Sequence, residues 1–148
     1  MMWLENYTIK RNFKILSIDH VAIATSNMEI LKSVFIDILG MGYKEKQYIP
    51  NEKVDVLKIY ADNKQTAIEL LEPSDGDSPI EKYLKNKGTG IHHIALTVDN
   101  LENIIEYLIN KNISLVYEKP QNGADNKLIT FIHPKSTPGI LVELCQKT

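Results

Sequence analysis

The chain has 148 residues, of which 43% are hydrophobic and 24% charged, enough for one domain with a buried core. Its formal net charge of −2 excludes the basic surface that nucleic-acid binding needs. No apolar run reaches the length of a membrane span, and residues 1–14 lack the apolar centre of a secretory signal, so we expect a cytoplasmic protein.

The first half of the chain predicts the element order β-α-β-β-β over residues 15–73, after an N-terminal extension at residues 1–14. The segment Ile15–Thr25 is rich in Ile, Val and Ala and ends at polar residues, as strands do. Asn27 or Ser26 is expected to cap the helix that follows, and glycines to end it. Three further strands are predicted over residues 43–49, 54–61 and 65–72.

A cluster of breaker residues at 73–79 divides the chain, and a short helix at 80–86 follows it. Together they predict a linker over residues 74–90. Residues 91–148 then repeat the β-α-β-β-β order, and Asp99 is expected to cap the helix of this half. The strands of the second half are predicted over residues 91–98, 114–118, 127–133 and 139–146.

The single cysteine, Cys145, lies in the last predicted strand. One cysteine excludes an internal disulfide and is typical of a reducing compartment. We expect it to be a buried thiol without a reactive role.

The two halves also repeat their chemistry. His93 follows His20 by 73 residues, in similar strands, and Glu143 follows Glu69 at nearly the same spacing. A lone histidine or glutamate on a strand is usually packed or solvent-facing, but the repeat places the same two residue types in both halves. We therefore predict that duplicated modules build one metal site from these four residues.

Strand alternation predicts where these side chains point. His20 shares a face with Ala22 and Ala24, a small-residue face that suits a cavity wall, and His93 lies on the equivalent face of its own strand. His92 is then expected on the opposite face, with a structural role. Carboxylates buried in apolar strands without a partner would be costly, and a cation between them removes that cost.

Two imidazoles and two carboxylates form a mixed nitrogen and oxygen ligand set. Such a set suits one divalent metal ion, with Ni²⁺, Zn²⁺ or Co²⁺ favoured and Mn²⁺ or Fe²⁺ as alternatives. His133 and Lys135, in the predicted turn before the last strand, are candidates for substrate contact, with an ordinary surface loop as the alternative.

Several segments carry a family resemblance: residues 19–22, 68–73, 77–80, 90–95, and 133–136 followed by 139–144. With them, Ile15–Gln146 resembles the vicinal oxygen chelate superfamily. The resemblance implies an α+β fold in which two tandem β-α-β-β-β modules form a curved mixed sheet around a metal-lined cup. It also implies that His20, Glu69, His93 and Glu143 are the metal ligands.

The segments are similar to both the glyoxalase I and the methylmalonyl-CoA epimerase branches, and their residue sequences are nearer to those of the epimerases. Both reactions remove a proton beside a carbonyl while a metal stabilises the developing oxyanion. Epimerisation needs a base on one face of the substrate and an acid on the other. At the position where such epimerases are expected to carry a second glutamate, this chain has Val56.

We therefore expect a metal-dependent lyase of glyoxalase I type, which converts a 2-oxoaldehyde–thiol hemithioacetal into a 2-hydroxyacyl thioester. Glu143 is expected to be the base, with Glu69 as its catalytic partner. Methylmalonyl-CoA epimerase, with an acyl-CoA substrate, is the alternative. A non-catalytic binding protein of this fold usually lacks the four ligands, and an Fe(II) dioxygenase needs only one carboxylate. We also expect a homodimer, because paired modules often associate.

Overall fold

Alternating apolar residues form the strands of one mixed sheet in this computed structural model, which describes residues 10–148. The strands are β1 (Ile15–Ala24), β2 (Gly42–Tyr43), β3 (Gln47–Ile49), β4 (Val54–Tyr60), β5 (Ala67–Pro73), β6 (Gly90–Val98), β7 (Gln121–Asn122), β8 (Leu128–Ile132) and β9 (Val142–Gln146). The helices are α1 (Met28–Lys32), which continues as a π-helix (Ser33–Ile38), α2 (Pro79–Lys87) and α3 (Leu101–Asn110). Short 3₁₀ turns occupy Ala124–Asn126 and Pro134–Ser136.

The sheet runs in the order β2-β4-β5-β1-β6-β9-β8-β7, with β3 paired to β4. β1 is parallel to β5 and β6 is parallel to β9, so the two halves have matching arrangements. The first strands of the halves pair antiparallel at the centre, which places His20 opposite Ala95 and His93 opposite Ala22. The repeated histidines therefore meet in the middle of the sheet. The predicted α+β fold with a curved mixed sheet is confirmed.

The core lies on both faces of this sheet. On the outer face, α1 packs Met28 against Leu57 and Leu70, and α3 packs Leu101 against Leu144. On the inner face, α2 packs Ile80 into a cluster with small and branched side chains of the first half. That inner cluster contains Ala22, Ala24, Val54, Val56 and Leu71. Because side chains alternate along β4 and β5, the neighbours of Leu57 and of Leu70 in sequence point into the cup.

The predicted cap of the second helix is wrong by one residue. Asn100 caps α3, since its side chain accepts a hydrogen bond from the backbone N–H three residues later at 3.0 Å. Asn27, the predicted cap in the first half, makes the same bond at 3.4 Å. Asp99 instead accepts a hydrogen bond from the backbone N–H of Lys14 at 2.6 Å, which fixes the chain just before β1.

Two predicted strands also differ from the structure. Residues 43–49 divide into β2 and β3, and residues 114–118 make only a single bridge to β8. In the latter segment, the backbone N–H of Ser114 donates to the hydroxyl of Ser136 at 2.9 Å. A side chain thus takes a backbone donor that a regular ladder would use, which shortens the pairing.

The described part of the predicted N-terminal extension, residues 10–14, packs against the second half. The ring of Phe13 lies 5.2 Å from that of Tyr107 on α3, in an edge-to-face arrangement. Residues 1–9 of the extension lie outside the described residues, and the boundaries of modules and linker stay predictions. Between residues 10 and 148, none of the helices has the length and apolar character needed to cross a membrane.

We predict that Gly123→Ala destabilises the fold. An added Cβ would lie 2.7 Å from Cγ2 of Ile129, a methyl carbon on the branched Cβ of a buried residue that cannot move away freely. Overpacking of this kind costs about 1–3 kcal/mol in the free energy of unfolding, measured by urea denaturation. Gly76→Ala, where an added Cβ meets nothing within 4 Å, is the control. Equal stability of the two variants would contradict the prediction.

Candidate metal centre and cleft

Two of the three β-bulges in the β1–β6 pairing decide which side chains enter the cup. The register skips Asp19 on β1 and His92 on β6, so each is an extra residue in its strand. The carboxylate of Asp19 consequently lies 2.8 Å from Nδ1 of His20, and Nδ1 of His92 lies 2.9 Å from Nδ1 of His93. The predicted placement of His92 on the opposite face is wrong, because alternation assumes an unbroken ladder.

The four side chains predicted to bind metal converge on one point. Nε2 of His20 lies 3.2 Å from Nε2 of His93, 3.3 Å from Oε2 of Glu143 and 3.4 Å from Oε2 of Glu69. Nε2 of His93 lies 2.8 Å from Oε2 of Glu143. All four residues are at most 7% exposed, and within the described chain the buried Oε2 of Glu69 has no hydrogen-bond partner.

The charges around this point favour a cation. Burial alone would lower the pKa of His20, but the hydrogen bond to Asp19 and the carboxylates of Glu69 and Glu143 raise it to about 10. Burial would raise the pKa of Glu143, but hydrogen bonds with His20 and His93 hold it well below its usual range. Glu143 therefore stays ionised when positive charge is supplied, whether by protons or by a metal ion.

The donor atoms fit a divalent metal ion. Ligand atoms each about 2.0–2.2 Å from a shared ion lie roughly 3 Å from their neighbours, which agrees with the separations here. His20, His93 and Glu143 offer ligand atoms that all lie within 4.8 Å of one another. The orphaned oxygen of Glu69 supplies a fourth donor beside them. This mixed nitrogen and oxygen set suits the predicted ions equally, so the identity of the metal stays open.

A hydrogen-bond partner at Nδ1 orients each of the two central histidines, His20 and His93. Asp19 accepts hydrogen bonds from His20, from the ammonium of Lys127 at 2.8 Å and from the hydroxyl of Thr97 at 3.1 Å. Burial lowers the pKa of His92 to about 4, with nearby His93 and Lys87 adding to that effect and Glu143 acting in the other direction, so this imidazole is neutral at physiological pH. Donation by Nδ1 of each central histidine leaves its Nε2 free to bind a metal.

The ligand cluster lies in a cleft of about 570 Å³. Apolar side chains from the first half and Ile129 and Phe131 from the second line most of it. Its polar lining outside the cluster consists of Glu52, Lys58, His92 and Lys127. Sequence reasoning missed Lys58, although a charge within the apolar alternation of β4 was a visible signal. Asp19 had a signal too, since it directly precedes a candidate ligand.

Comparison with known proteins identifies the fold family. The model of the glyoxalase/bleomycin resistance protein/dioxygenase superfamily matches residues 19–131 of this chain. The chain belongs to this superfamily. It is the vicinal oxygen chelate family that the sequence resembles, so that resemblance is confirmed.

Relatives of this superfamily member include methylmalonyl-CoA epimerases. It is 38% identical over 133 residues to the mitochondrial methylmalonyl-CoA epimerase of Dictyostelium discoideum, covering 88% of this chain and 78% of that protein. The crystal structure of methylmalonyl-CoA epimerase from Mycobacterium tuberculosis superposes with a TM-score of 0.87 at 28% identity, covering 95% of this chain and 94% of that chain. A variant epimerase from Streptomyces coelicolor, in complex with 2-nitronate-propionyl-CoA, gives 0.84 at 26% identity, covering 91% and 96%.

These relatives support an enzyme and correct the predicted branch. The prediction of a glyoxalase I-type lyase is wrong, because the homologues and structural neighbours are methylmalonyl-CoA epimerases. That prediction rested on Val56, and Val56 does present an apolar side chain to the cleft. A missing carboxylate at one strand position is therefore not enough to exclude an epimerase, because another element can supply the group.

A loop of the second half closes over the ligand cluster of this superfamily member. Lys58 is 5% exposed, and its Nζ lies 2.5 Å from the carboxylate of Asp125 and 3.7 Å from Oε2 of Glu69. Asp125 has a φ of 54° and also accepts a hydrogen bond from the amide of Gln47 at 2.6 Å. The loop is thus tied to β3 and β4, across the cup from its own module.

The two predicted substrate contacts lie away from this cleft. His133 is exposed and caps the short turn at Pro134–Ser136, with Nδ1 accepting from the backbone N–H of Lys135 at 3.1 Å. Lys135 is exposed as well, and neither lines the cleft. Their role in substrate binding stays a prediction. Cys145 is fully buried, as predicted, and burial raises the pKa of its thiol to about 12.

We predict that buried Lys58 and partly buried Asp125 are energetically coupled. A double-mutant cycle with Lys58→Met and Asp125→Asn should give about 1–2 kcal/mol in the free energy of unfolding, because either single change leaves a partly buried charge unpaired. The more exposed pair Lys46–Asp55, at 3.9 Å with side chains 56% and 26% exposed, is the control and should give less than about 0.5 kcal/mol. Similar coupling in both cycles would contradict the role of burial.

Proposed function

We propose that this protein is a methylmalonyl-CoA epimerase, which inverts the configuration at C2 of an acyl-CoA thioester. The observation that carries the proposal is the convergence of His20, Glu69, His93 and Glu143 in a cleft of this fold. The similarity of 88% of the chain to an epimerase sequence, and of 95% of it to an epimerase crystal structure, supports the substrate class.

His20, Glu69, His93 and Glu143 would together hold one divalent cation. When bound, such an ion supplies positive charge that stabilises the oxyanion developing on the thioester carbonyl. Asp19 keeps His20 in the orientation and tautomer that metal binding requires, and His92 does the same for His93. Nickel, zinc, cobalt, manganese and iron remain candidates.

Glu143 acts as the base that removes the C2 proton. Its carboxylate is buried and hydrogen-bonded to two imidazoles, so it stays ionised and poised beside the bound acyl group. The electron pair of the broken C–H bond delocalises into the thioester and produces a planar enolate. The apolar side chains of Val54, Val56 and Leu71 line the same cleft and exclude water from this intermediate.

We also infer a homodimer. The outer face of the central strands is not covered by α1 or α3, and it exposes Ile18, Ile91 and Ile94 by 53%, 67% and 36%. Uncovered apolar side chains in the middle of a sheet are typical of a surface that another chain buries.

The proposed activity is tested with the metal-loaded protein and one pure epimer of methylmalonyl-CoA. We expect chiral chromatography to show conversion to the other epimer, and Glu143→Gln to lower kcat about 10²- to 10⁴-fold because it removes the base. Glu106→Gln, an exposed change on α3, is the matched control and should keep the rate of the wild-type protein. Failure of the wild-type protein to interconvert the epimers with any of the candidate metals would contradict the proposal.

Metal binding is expected to release protons. Because the pKa of His20 is raised to about 10, this imidazole carries a proton at pH 8 that a metal ion must displace. Affinity should therefore rise with pH up to about 10, and calorimetry in buffers of different ionisation enthalpy should detect the released proton at pH 8. Asp19→Ala removes the hydrogen-bond acceptor that raises the pKa of His20, so fewer protons should be released. Metal binding by the wild-type protein without proton release would contradict the role of His20 as a metal ligand.

A further inference from the structure

Inversion at C2 requires a second proton-transfer group opposite the base. One group removes the proton from one face of the acyl group, and another must deliver a proton to the opposite face. Glu143 fills the first role. Glu69, unlike Glu143, is shared between the metal site and the ammonium of Lys58, 3.7 Å from its Oε2, and the strand position with Val56 is apolar. Four other side chains in the cleft carry exchangeable protons: Glu52, Lys58, His92 and Lys127.

The two lysines are committed to ion pairs. The ammonium of Lys58 lies 2.5 Å from Asp125, and that of Lys127 lies 2.8 Å from Asp19. Burial would lower the pKa of Lys58, but Glu69 and Asp125 hold it above its ordinary value. Loss of a proton from either lysine would leave its carboxylate partner without a counter-charge, which makes both poor acids.

His92 is committed to orienting a ligand and lies on the wrong wall. Its Nδ1 contacts Nδ1 of His93, and its ring packs edge-to-face on Tyr83 at 4.8 Å. It belongs to β6, which pairs directly with β9 and so lies on the same side of the cleft as Glu143. A group on this wall cannot reach the opposite face of the acyl group.

Glu52 lies on the opposite wall. It precedes β4, and β5, β1 and β6 separate β4 from the strand that carries Glu143. Because the sheet curls around the cleft, two lining residues so far apart in strand order approach it from opposite sides. The backbone of Glu52 is held in place, since its carbonyl accepts a hydrogen bond at 3.0 Å from Ser78, which is 1% exposed.

The carboxylate of Glu52 is also held at a defined point. The hydroxyl of Tyr117, from the opposing module, donates to its Oε1 at 3.3 Å. Burial raises the pKa of Glu52 and the negative charge of Glu143 adds to that, while Tyr117 and His93 act in the other direction. The carboxyl group can therefore take up and release a proton nearer to neutral pH than an exposed glutamate does.

We infer that Glu52 is the second acid–base residue, which delivers a proton to the face of C2 opposite Glu143. This inference rests on the proposed epimerase function. In one direction, Glu143 accepts the C2 proton as the C–H bond breaks, and the Glu52 carboxylic acid donates its proton to the enolate carbon. A C–H bond of opposite configuration forms, Glu52 is left as carboxylate, and Glu143 as carboxylic acid. Glu143 then loses its proton to water and Glu52 takes one up, which restores the starting state. In the reverse reaction, Glu52 accepts the C2 proton and Glu143 donates one.

Deuterium exchange of each pure epimer in D₂O separates the two faces. Glu52→Gln should lower epimerisation at least about 100-fold, while the epimer whose proton faces Glu143 still exchanges its C2 hydrogen without inversion. NMR follows exchange, and chiral chromatography follows inversion. Glu45→Gln, an exposed change outside the cleft, is the control and should leave both processes unchanged. Exchange of both epimers at the wild-type rate, or loss of exchange from both in a folded metal-loaded variant, would overturn the inference.

Tyr117→Phe provides an independent readout. Loss of the hydrogen bond removes an influence that lowers the pKa of Glu52, so the limb of the pH–rate profile that belongs to Glu52 should move to higher pH. An unchanged profile would argue against Glu52. If the wild-type protein neither exchanges nor inverts either epimer, the proposed function itself fails. If the wild-type protein inverts both and Glu52→Gln does so equally well, only the role of Glu52 fails.

Discussion

Two carboxylates buried beside two imidazoles, within strands that are otherwise apolar, are the constraint on which this structure depends. Glu69 and Glu143 are at most 7% exposed, and a buried carboxylate without compensation costs several kcal/mol. The antiparallel pairing of β1 and β6 brings the two halves together so that each carboxylate has an imidazole within 3.4 Å. Positive charge at this point stabilises the fold and equips the cleft for chemistry beside a carbonyl, so folding and function share the same four side chains.

The residues that orient the two central histidines differ in charge between the two halves. Asp19 and His92 occupy equivalent bulges in the two halves, yet one presents a carboxylate and the other an imidazole to the histidine beside it. The negative Asp19 is in turn neutralised by Lys127, and Asp125 from the same loop neutralises Lys58 of the first half. A single loop thus places one charge of each sign on the opposite module, which couples the two walls of the cleft.

The repeat in the sequence predicts the fold and the positions of the four central side chains because both depend on local patterns: strand alternation, helix caps and spacing. Three features had no such local signal. The bulges at Asp19 and His92 arise from how two strands 73 residues apart pair, and they defeat simple alternation. The Glu52–Tyr117 contact joins residues 65 positions apart. The prediction of the enzyme branch was wrong for the same reason. It relied on one strand position, Val56, although several elements of the fold line the cleft.

The proposed chemistry depends most directly on one metal site shared by the two halves. Crystals soaked with a divalent ion such as Co²⁺ or Zn²⁺, and measured at its absorption edge, locate that ion without reference to activity. We expect a single strong anomalous peak at the centre of the cleft, within bonding distance of Nε2 of His20, Nε2 of His93, and carboxylate oxygens of Glu69 and Glu143. An ion bound elsewhere, or a cleft that takes up none of the candidate ions, would contradict a metal site at these four residues.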